Sequence, residues 1–246
     1  MTTPTVDTTP WSPWFELRLA LGAQFAAFVA ATVISVPFVS ADKTITGPTP
    51  VFIAAVGFWP VFALGISFAA RKMEFSVRRY VDALDFRLID LVALLGGVAM
   101  QFVVGIGYRL ARVDDKDVSK AAKKLTAGID HVDTRFLLLA VAVGVGAPIM
   151  EELFYRGLIL NGFRTVVANS RVGSASAFVV NAVVIALSAL WFGLIHFQPL
   201  QLPALVFVGV MCGIARVKTG RIFTAICLHA GFNLATVVAL AAQLGS

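Results

Sequence analysis

The chain has 246 residues, of which 59% are hydrophobic and only 14% carry a charged side chain. A soluble domain averages about 25% charged residues, so this composition excludes an ordinary soluble protein and predicts a polytopic membrane protein. The net charge of +6 resides mainly in loops, where basic residues set membrane topology and contact anionic headgroups, so we expect the lipid bilayer and no nucleic acid as a partner.

Seven apolar runs follow one another along the chain, and each can form a membrane-spanning helix of about 20 residues. Lipid forbids unpaired backbone groups, so every run should be helical. We therefore predict an all-α, polytopic integral membrane protein with about seven transmembrane helices. The runs cover Leu19–Phe38, Val51–Ala70, Leu91–Leu110, Phe136–Leu160, Ser174–Phe197, Leu202–Val217 and Ile222–Ala242.

The start of the chain and the loop charges predict how these helices are oriented. Met1–Trp14 contains no Lys or Arg, unlike a cleavable signal peptide, so the first run should be an uncleaved span. Eleven basic residues lie in the loops on the N-terminal side of the membrane and eight on the other side. The excess places the N-terminus inside, and we expect a bacterial cytoplasmic membrane location.

The longest polar stretch, Tyr108–Arg135, leaves two interpretations open. Its middle part, Val118–Leu125, alternates Lys with apolar residues at helical spacing. This pattern is typical of an amphipathic helix at the membrane interface. A solvated connecting loop fits the same residues equally well.

Two adjacent carboxylates, Glu151 and Glu152, lie in the fourth run, where a charge is expensive and marks a functional candidate. Arg156 follows Glu152 by four residues, in the favourable order for a helical ion pair. Glu151 points about 100° away around the helix and has no cation nearby in sequence, so it is the candidate general base. Pro148 removes a helical hydrogen bond just before the pair and can loosen the helix to admit water. A buried polar network without catalysis is the alternative.

His196 lies at the end of the fifth run and can still belong to a buried site. The sixth run has about 16 residues and reaches only about 24 Å, less than the roughly 30 Å of hydrocarbon. The turn Gln198–Gln201 should therefore lie below the membrane surface. His196 can then reach the depth of Glu151 and His229, although a lone membrane histidine is more often a packing residue.

His229 and Asn233 are four residues apart in the seventh run and project from one helix face. The amide and the imidazole can both donate hydrogen bonds, which suits a developing oxyanion. An interhelical hydrogen bond is the simpler alternative.

Cys212 and Cys227 are expected to be packing residues, and four apolar-helix glycines are expected to be close-packing positions. These glycines are Gly105, Gly107, Gly144 and Gly146.

Three sequence motifs together resemble those of the CPBP family, which is also called Abi. The motifs are Glu-Glu-x-x-x-Arg, Phe-x-x-x-His and His-x-x-x-Asn. The family includes CAAX endopeptidases and bacteriocin-processing or self-immunity proteins. The resemblance covers about Phe136–Ala242. It divides one continuous membrane domain into N-terminal helices with an amphipathic loop, residues 1–135, and a catalytic core, residues 136–246. Tyr155 departs from the pattern, because many members have Phe there.

The resemblance implies an intramembrane endopeptidase acting on a membrane protein or peptide. Glu151 and His196 would activate a water molecule, His229 and Asn233 would stabilise the tetrahedral intermediate, and Glu152 with Arg156 would support the site. These roles agree with those expected from the residues themselves.

Metal dependence and non-enzymatic functions remain as alternatives. Glu151, His196 and His229 would make a three-ligand zinc set with an open position. The HExxH motif is absent, however, and a glutamate–histidine mechanism needs no metal, so we expect none to be required. A non-proteolytic immunity or scaffold protein with a protein partner, or a proton-relay transporter, could use the same fold.

Overall fold

The computed structural model describes residues 12–39, 47–72, 85–114 and 123–244. Within these residues, seven helices are long and apolar enough to cross a membrane, and there is no strand. The predicted fold class is therefore confirmed. The helices are α1 (Phe15–Ser35, followed by a 3-10 turn at Val36–Phe38), α2 (Thr49–Lys72), α3 (Leu88–Leu110), α4 (Thr134–Ala168), α5 (Ala177–Leu194), α6 (Leu202–Thr219) and α7 (Ile222–Leu244).

Helix α4 is longer than its apolar run predicted, continuing past Leu160 to Ala168. Asn161 and Thr165 in this extension both donate to carbonyls of the same helix. Asn161 Nδ2 donates to the Gly157 carbonyl at 2.6 Å, and Thr165 Oγ1 donates to the Asn161 carbonyl at 3.1 Å. The helix can therefore continue beyond the apolar residues without exposing unpaired side-chain amides.

The fifth run is shorter as a helix than predicted, because α5 ends at Leu194. His196 lies in the turn that follows, and Phe197 has a positive φ of 52° that prevents further helix. Most of the predicted amphipathic segment lies outside the described residues, and only residues 123–125 are described, in a short helical turn.

Helix α4 lies at the centre of the bundle, where it contacts α1, α2, α5 and α7. Extensive contacts also join α1 to α2, α5 to α6, α3 to α7 and α6 to α7. Aromatic rings fix α2 against α4, since Phe62 stacks on Phe154 with centroids 3.8 Å apart and Tyr155 meets Phe62 edge-on at 6.1 Å. The helix with the two carboxylates is thus held on several sides.

Helices α3 and α7 approach each other at the level of their backbones. A Cβ atom at Gly97 would collide with the Leu228 carbonyl, and one at Gly231 would collide with the Leu94 carbonyl. Small residues allow such contacts between membrane helices. This contact fixes α7 at two positions that flank His229, Leu228 and Gly231.

The predicted close-packing glycines divide into two groups. Gly144 faces Leu234 and Gly146 faces Trp59, both within contact distance of an added Cβ, so these two predictions are confirmed. The prediction for Gly105 and Gly107 is wrong, because a Cβ at either position would meet nothing within 4 Å. Both positions are exposed.

A buried ionic cluster joins the start of α3 to the start of α7. Asp90 is fully buried and accepts from Arg221 at 3.0 Å and from the Thr224 hydroxyl at 2.6 Å. It also accepts from the Arg87 backbone amide at 2.8 Å, and Arg221 donates to the Asp85 carbonyl. Every charge in this cluster therefore has a partner, as buried charges require.

Candidate active site

Two π-helical segments flank the adjacent glutamates of α4. They cover Ala142–Gly146 and Leu153–Ile159, with an α-helical segment, Ala147–Glu152, between them. The Ala147 amide donates to the Ala142 carbonyl, five residues back instead of four. Such π segments often occur at functional sites. The carboxylates thus lie where the helix changes its hydrogen-bonding register twice.

The ion pair predicted from the spacing of Glu152 and Arg156 is present and fully buried. Arg156 Nε lies 3.1 Å from Glu152 Oε2, and neither side chain is exposed. The guanidinium also donates to the Gly209 carbonyl of α6 at 3.0 Å and lies 5.0 Å above the Phe192 ring of α5. Arg156 therefore neutralises Glu152 and joins three helices.

Glu152 also binds the imidazole of His229. Glu152 Oε1 lies 2.9 Å from His229 Nδ1. A carboxylate beside Arg156 is an acceptor, so Nδ1 carries the proton in this contact. When His229 is neutral, its Nε2 is then the unprotonated nitrogen, able to accept a proton.

Glu151 is the more accessible carboxylate of the pair. Its side chain is 24% exposed, whereas that of Glu152 is 0% exposed. Among the described residues its ion-pair partner is His229, whose Nε2 lies 4.0 Å from Glu151 Oε2. A gap longer than a direct hydrogen bond suits a bridging water molecule. Glu151 therefore has the exposure and position of a group that meets a small reactant.

His196 contacts the same Phe192 ring as His229. The Phe192 ring is 4.6 Å from the His196 ring and 5.7 Å from the His229 ring, edge-on to both. His196 Nδ1 lies 2.6 Å from the Phe192 carbonyl, which can only accept, so Nδ1 donates. The Nε2 atom of a neutral His196 is consequently also an acceptor.

Asn233 contacts the carboxylate helix directly. Its Nδ2 donates to the Val143 carbonyl at 2.9 Å, across the interface between α7 and α4. The interhelical hydrogen bond considered as the simpler alternative is therefore present. An amide nitrogen has two protons, so the second remains to donate to a ligand.

The three residues considered as a possible zinc set are not the ones whose ligand atoms cluster in the structure. Among the described residues, the set of three whose ligand atoms lie within 4.8 Å of one another is Glu152, Cys212 and His229, not Glu151, His196 and His229. This buried set does not fit a divalent cation. Glu152 is already shared by Arg156 and His229, and the permanent charge of Arg156 would lie beside the metal.

Sequence reasoning missed three contributors to the site. Cys212 was predicted to be only a packing residue, and Gly209 and Gln24 were not considered. Gln24 of α1 accepts from the Tyr155 hydroxyl at 2.8 Å inside the bundle. This contact accounts for a Tyr where Phe is common, because the additional hydroxyl has a buried partner. Gln24 is the one polar side chain in the stretch Leu19–Ala31 of α1, and this was the available signal.

Residues 133–235 match a family described as type II CAAX prenyl endopeptidase Rce1-like. The matched segment contains all six predicted site residues and excludes α1, α2 and α3. No curated protein and no solved structure matches the chain.

Proposed function

Because residues 133–235 match the type II CAAX prenyl endopeptidase Rce1-like family, we propose that this chain is a CPBP-family endopeptidase that hydrolyses peptide bonds of membrane-associated proteins or peptides through Glu151. The observation that carries the proposal is that the two adjacent carboxylates differ in their partners and in their exposure. Glu152 is paired with Arg156 and His229, whereas Glu151 is partly exposed and lies 4.0 Å from the same imidazole. One carboxylate can thus support the site while its neighbour acts as base.

Water activation is proposed to occur beside Glu151. Glu151 removes a proton from a water molecule, and the resulting hydroxide attacks the scissile carbonyl carbon. The Nε2 of His196 accepts a hydrogen bond that orients this water, because its Nδ1 is engaged with the Phe192 carbonyl. The proton taken by Glu151 then passes to the leaving nitrogen as the C–N bond breaks, so the products are an amine and a carboxylic acid, which ionises in water.

Stabilisation of the tetrahedral intermediate is assigned to α7. Asn233 donates with its remaining Nδ2 proton. His229 has given Nδ1–H to Glu152, so it can donate to the oxyanion only through Nε2, in its protonated form. Glu152 and Arg156 therefore act by holding His229 in position.

This mechanism requires no metal, and we propose metal-independent catalysis. The support is the position of Arg156, whose guanidinium already supplies a positive charge beside the buried Glu152 carboxylate. Positioned hydrogen-bond donors can supply the oxyanion stabilisation that a metal ion would otherwise provide.

The proposal is tested with purified protein reconstituted in lipid vesicles and a pool of membrane-associated peptides, with new termini identified by mass spectrometry. Wild-type protein should generate new termini and Glu151→Gln should not. Glu16→Gln is a matched control, because Glu16 is also a buried membrane carboxylate, accepting from Thr165 at 3.2 Å. Equal cleavage by Glu151→Gln would refute the role of Glu151, and no cleavage by wild-type protein would favour an immunity or scaffold function.

The prenyl requirement of the family description is tested separately. The same C-terminal peptide is offered with and without an isoprenoid on its cysteine. Cleavage of the modified peptide alone supports a prenylated substrate class. Equal cleavage of both peptides restricts the proposal to membrane-associated peptides in general.

A further inference from the structure

The Val143 carbonyl lies at a gap in the backbone hydrogen bonding of α4. The Ala147 amide, which an α-helix would direct to Val143, donates to Ala142 instead. In this five-residue register the next amide, that of residue 148, would donate to Val143. Residue 148 is Pro, which has no N–H. Two successive positions of the helix thus leave the Val143 carbonyl without a backbone donor.

Asn233 supplies the missing donor from another helix. Its Nδ2 lies 2.9 Å from the Val143 oxygen. The neighbouring residue, Leu234, packs where a Cβ of Gly144 would lie, 2.7 Å from its Cδ2 atom. Helix α7 is thereby fitted against this turn of α4. An orphaned carbonyl inside a membrane protein finds no bulk water, so the side-chain amide is a valuable partner.

We propose that Pro148 and Asn233 act together as positioning residues, with Pro148 keeping the Val143 carbonyl available and Asn233 using it to fix the register between α4 and α7. The inference rests on the proposed function and gives Asn233 a role in addition to oxyanion binding. Glu151 and Glu152 follow Val143 on α4, and His229 precedes Asn233 by one turn on α7. A slip of one residue would move α4 by about 1.5 Å and 100° and separate the carboxylates from His229.

A double-mutant cycle tests whether the two residues share one carbonyl. Asn233→Ala orphans the Val143 oxygen and should lower the melting temperature by about 3–6 °C. Pro148→Ala restores a backbone N–H, so in the Asn233→Ala protein it should recover most of that loss. In the wild-type background it should recover nothing, because the carbonyl is already satisfied. Additive changes in melting temperature would overturn the shared acceptor.

The positioning role is tested by measuring kcat, which a change in stability alone would not alter. Pro148→Ala should lower kcat by roughly tenfold with KM unchanged and no loss of melting temperature, because a competing N–H releases Asn233. Unchanged kcat, despite coupling in the thermal cycle, would overturn the positioning role. Two matched controls are Pro60→Ala, an exposed proline within α2, and Asn161→Ala, whose amide bonds within α4.

Nitrogen NMR of the histidines separates this inference from the proposed function. The chain contains three His residues, so the signal of His229 can be assigned by substitution. Its Nδ1 shift reports the 2.9 Å contact with Glu152. Pro148→Ala and Asn233→Ala should each shift this signal, even if no peptide is cleaved. An unchanged signal in both variants would overturn the inference, whereas failure of wild-type cleavage alone refutes only the protease proposal.

Discussion

Glu152 binds two cation-forming partners at once, with His229 Nδ1 at 2.9 Å on one oxygen and Arg156 Nε at 3.1 Å on the other. Its neighbour Glu151 lies about 100° further around the helix and meets His229 through the opposite ring nitrogen at 4.0 Å. The adjacent glutamates therefore approach one imidazole from different directions. This arrangement is the physical basis for giving them different roles.

Substituting each glutamate by glutamine should separate activity from stability. Glu151→Gln should reduce cleavage at least about a hundredfold, because it removes a general base. Its melting temperature should stay within about 2 °C of wild type, since the change is isosteric and partly exposed. Glu152→Gln should instead lower the melting temperature, because it leaves the Arg156 charge buried and unpaired. Both quantities are measured on the same purified samples, and the reverse pattern would exchange the two assignments.

Arg156→Ala should be strongly destabilising. It leaves Glu152 as an unpaired buried charge, which typically lowers the free energy of unfolding by about 3–5 kcal/mol. For a chain of this size the melting temperature should fall by about 6–20 °C. Arg164→Ala, at an exposed position of the same helix, is the control and should have little effect. A wild-type melting curve for Arg156→Ala would count against a stabilising ion pair.

Chelators should leave cleavage unaffected. Incubation with 1,10-phenanthroline or EDTA should change kcat/KM by less than about twofold, because the proposed mechanism uses only side-chain acids, bases and hydrogen-bond donors. Cys212→Ser should retain activity for the same reason. Loss of activity with chelator, restored by added Zn²⁺, would establish a metal requirement and a site unlike the arrangement described here.

The sequence was sufficient for the spans and for the local ion pair, since both depend on neighbouring residues. Apolar runs predict membrane helices, and a spacing of four predicts contact between Glu152 and Arg156. The contacts of Cys212 and Gln24 could not be predicted, because they depend on how α6 and α1 are rotated in the bundle. The second role of Glu152, binding His229, joins residues 77 positions apart. Helix packing, not local spacing, determines that contact.

The close approach of α3 and α7 predicts a severe effect of Gly97→Ala. The added methyl group would collide with the Leu228 backbone, which cannot move aside as a flexible side chain can. The variant should yield little folded protein, measured as the monodisperse fraction after detergent extraction. Gly105→Ala on the same helix is the matched control, because an added Cβ there meets nothing within 4 Å. Equal yields of the two variants would show that α3 can shift relative to α7 without loss of the fold.

The hydrogen bond between Tyr155 and Gln24 predicts a non-additive pair of substitutions. Tyr155→Phe leaves the buried Gln24 amide without its partner and should lower the free energy of unfolding by about 1–3 kcal/mol. Gln24→Leu should be destabilising as well, because it strands the Tyr155 hydroxyl. The double variant should be more stable than either single variant, since replacing both polar partners removes the unsatisfied groups. Thermal unfolding of the four proteins measures this coupling, and additive losses would show that the hydroxyl and the amide do not depend on each other.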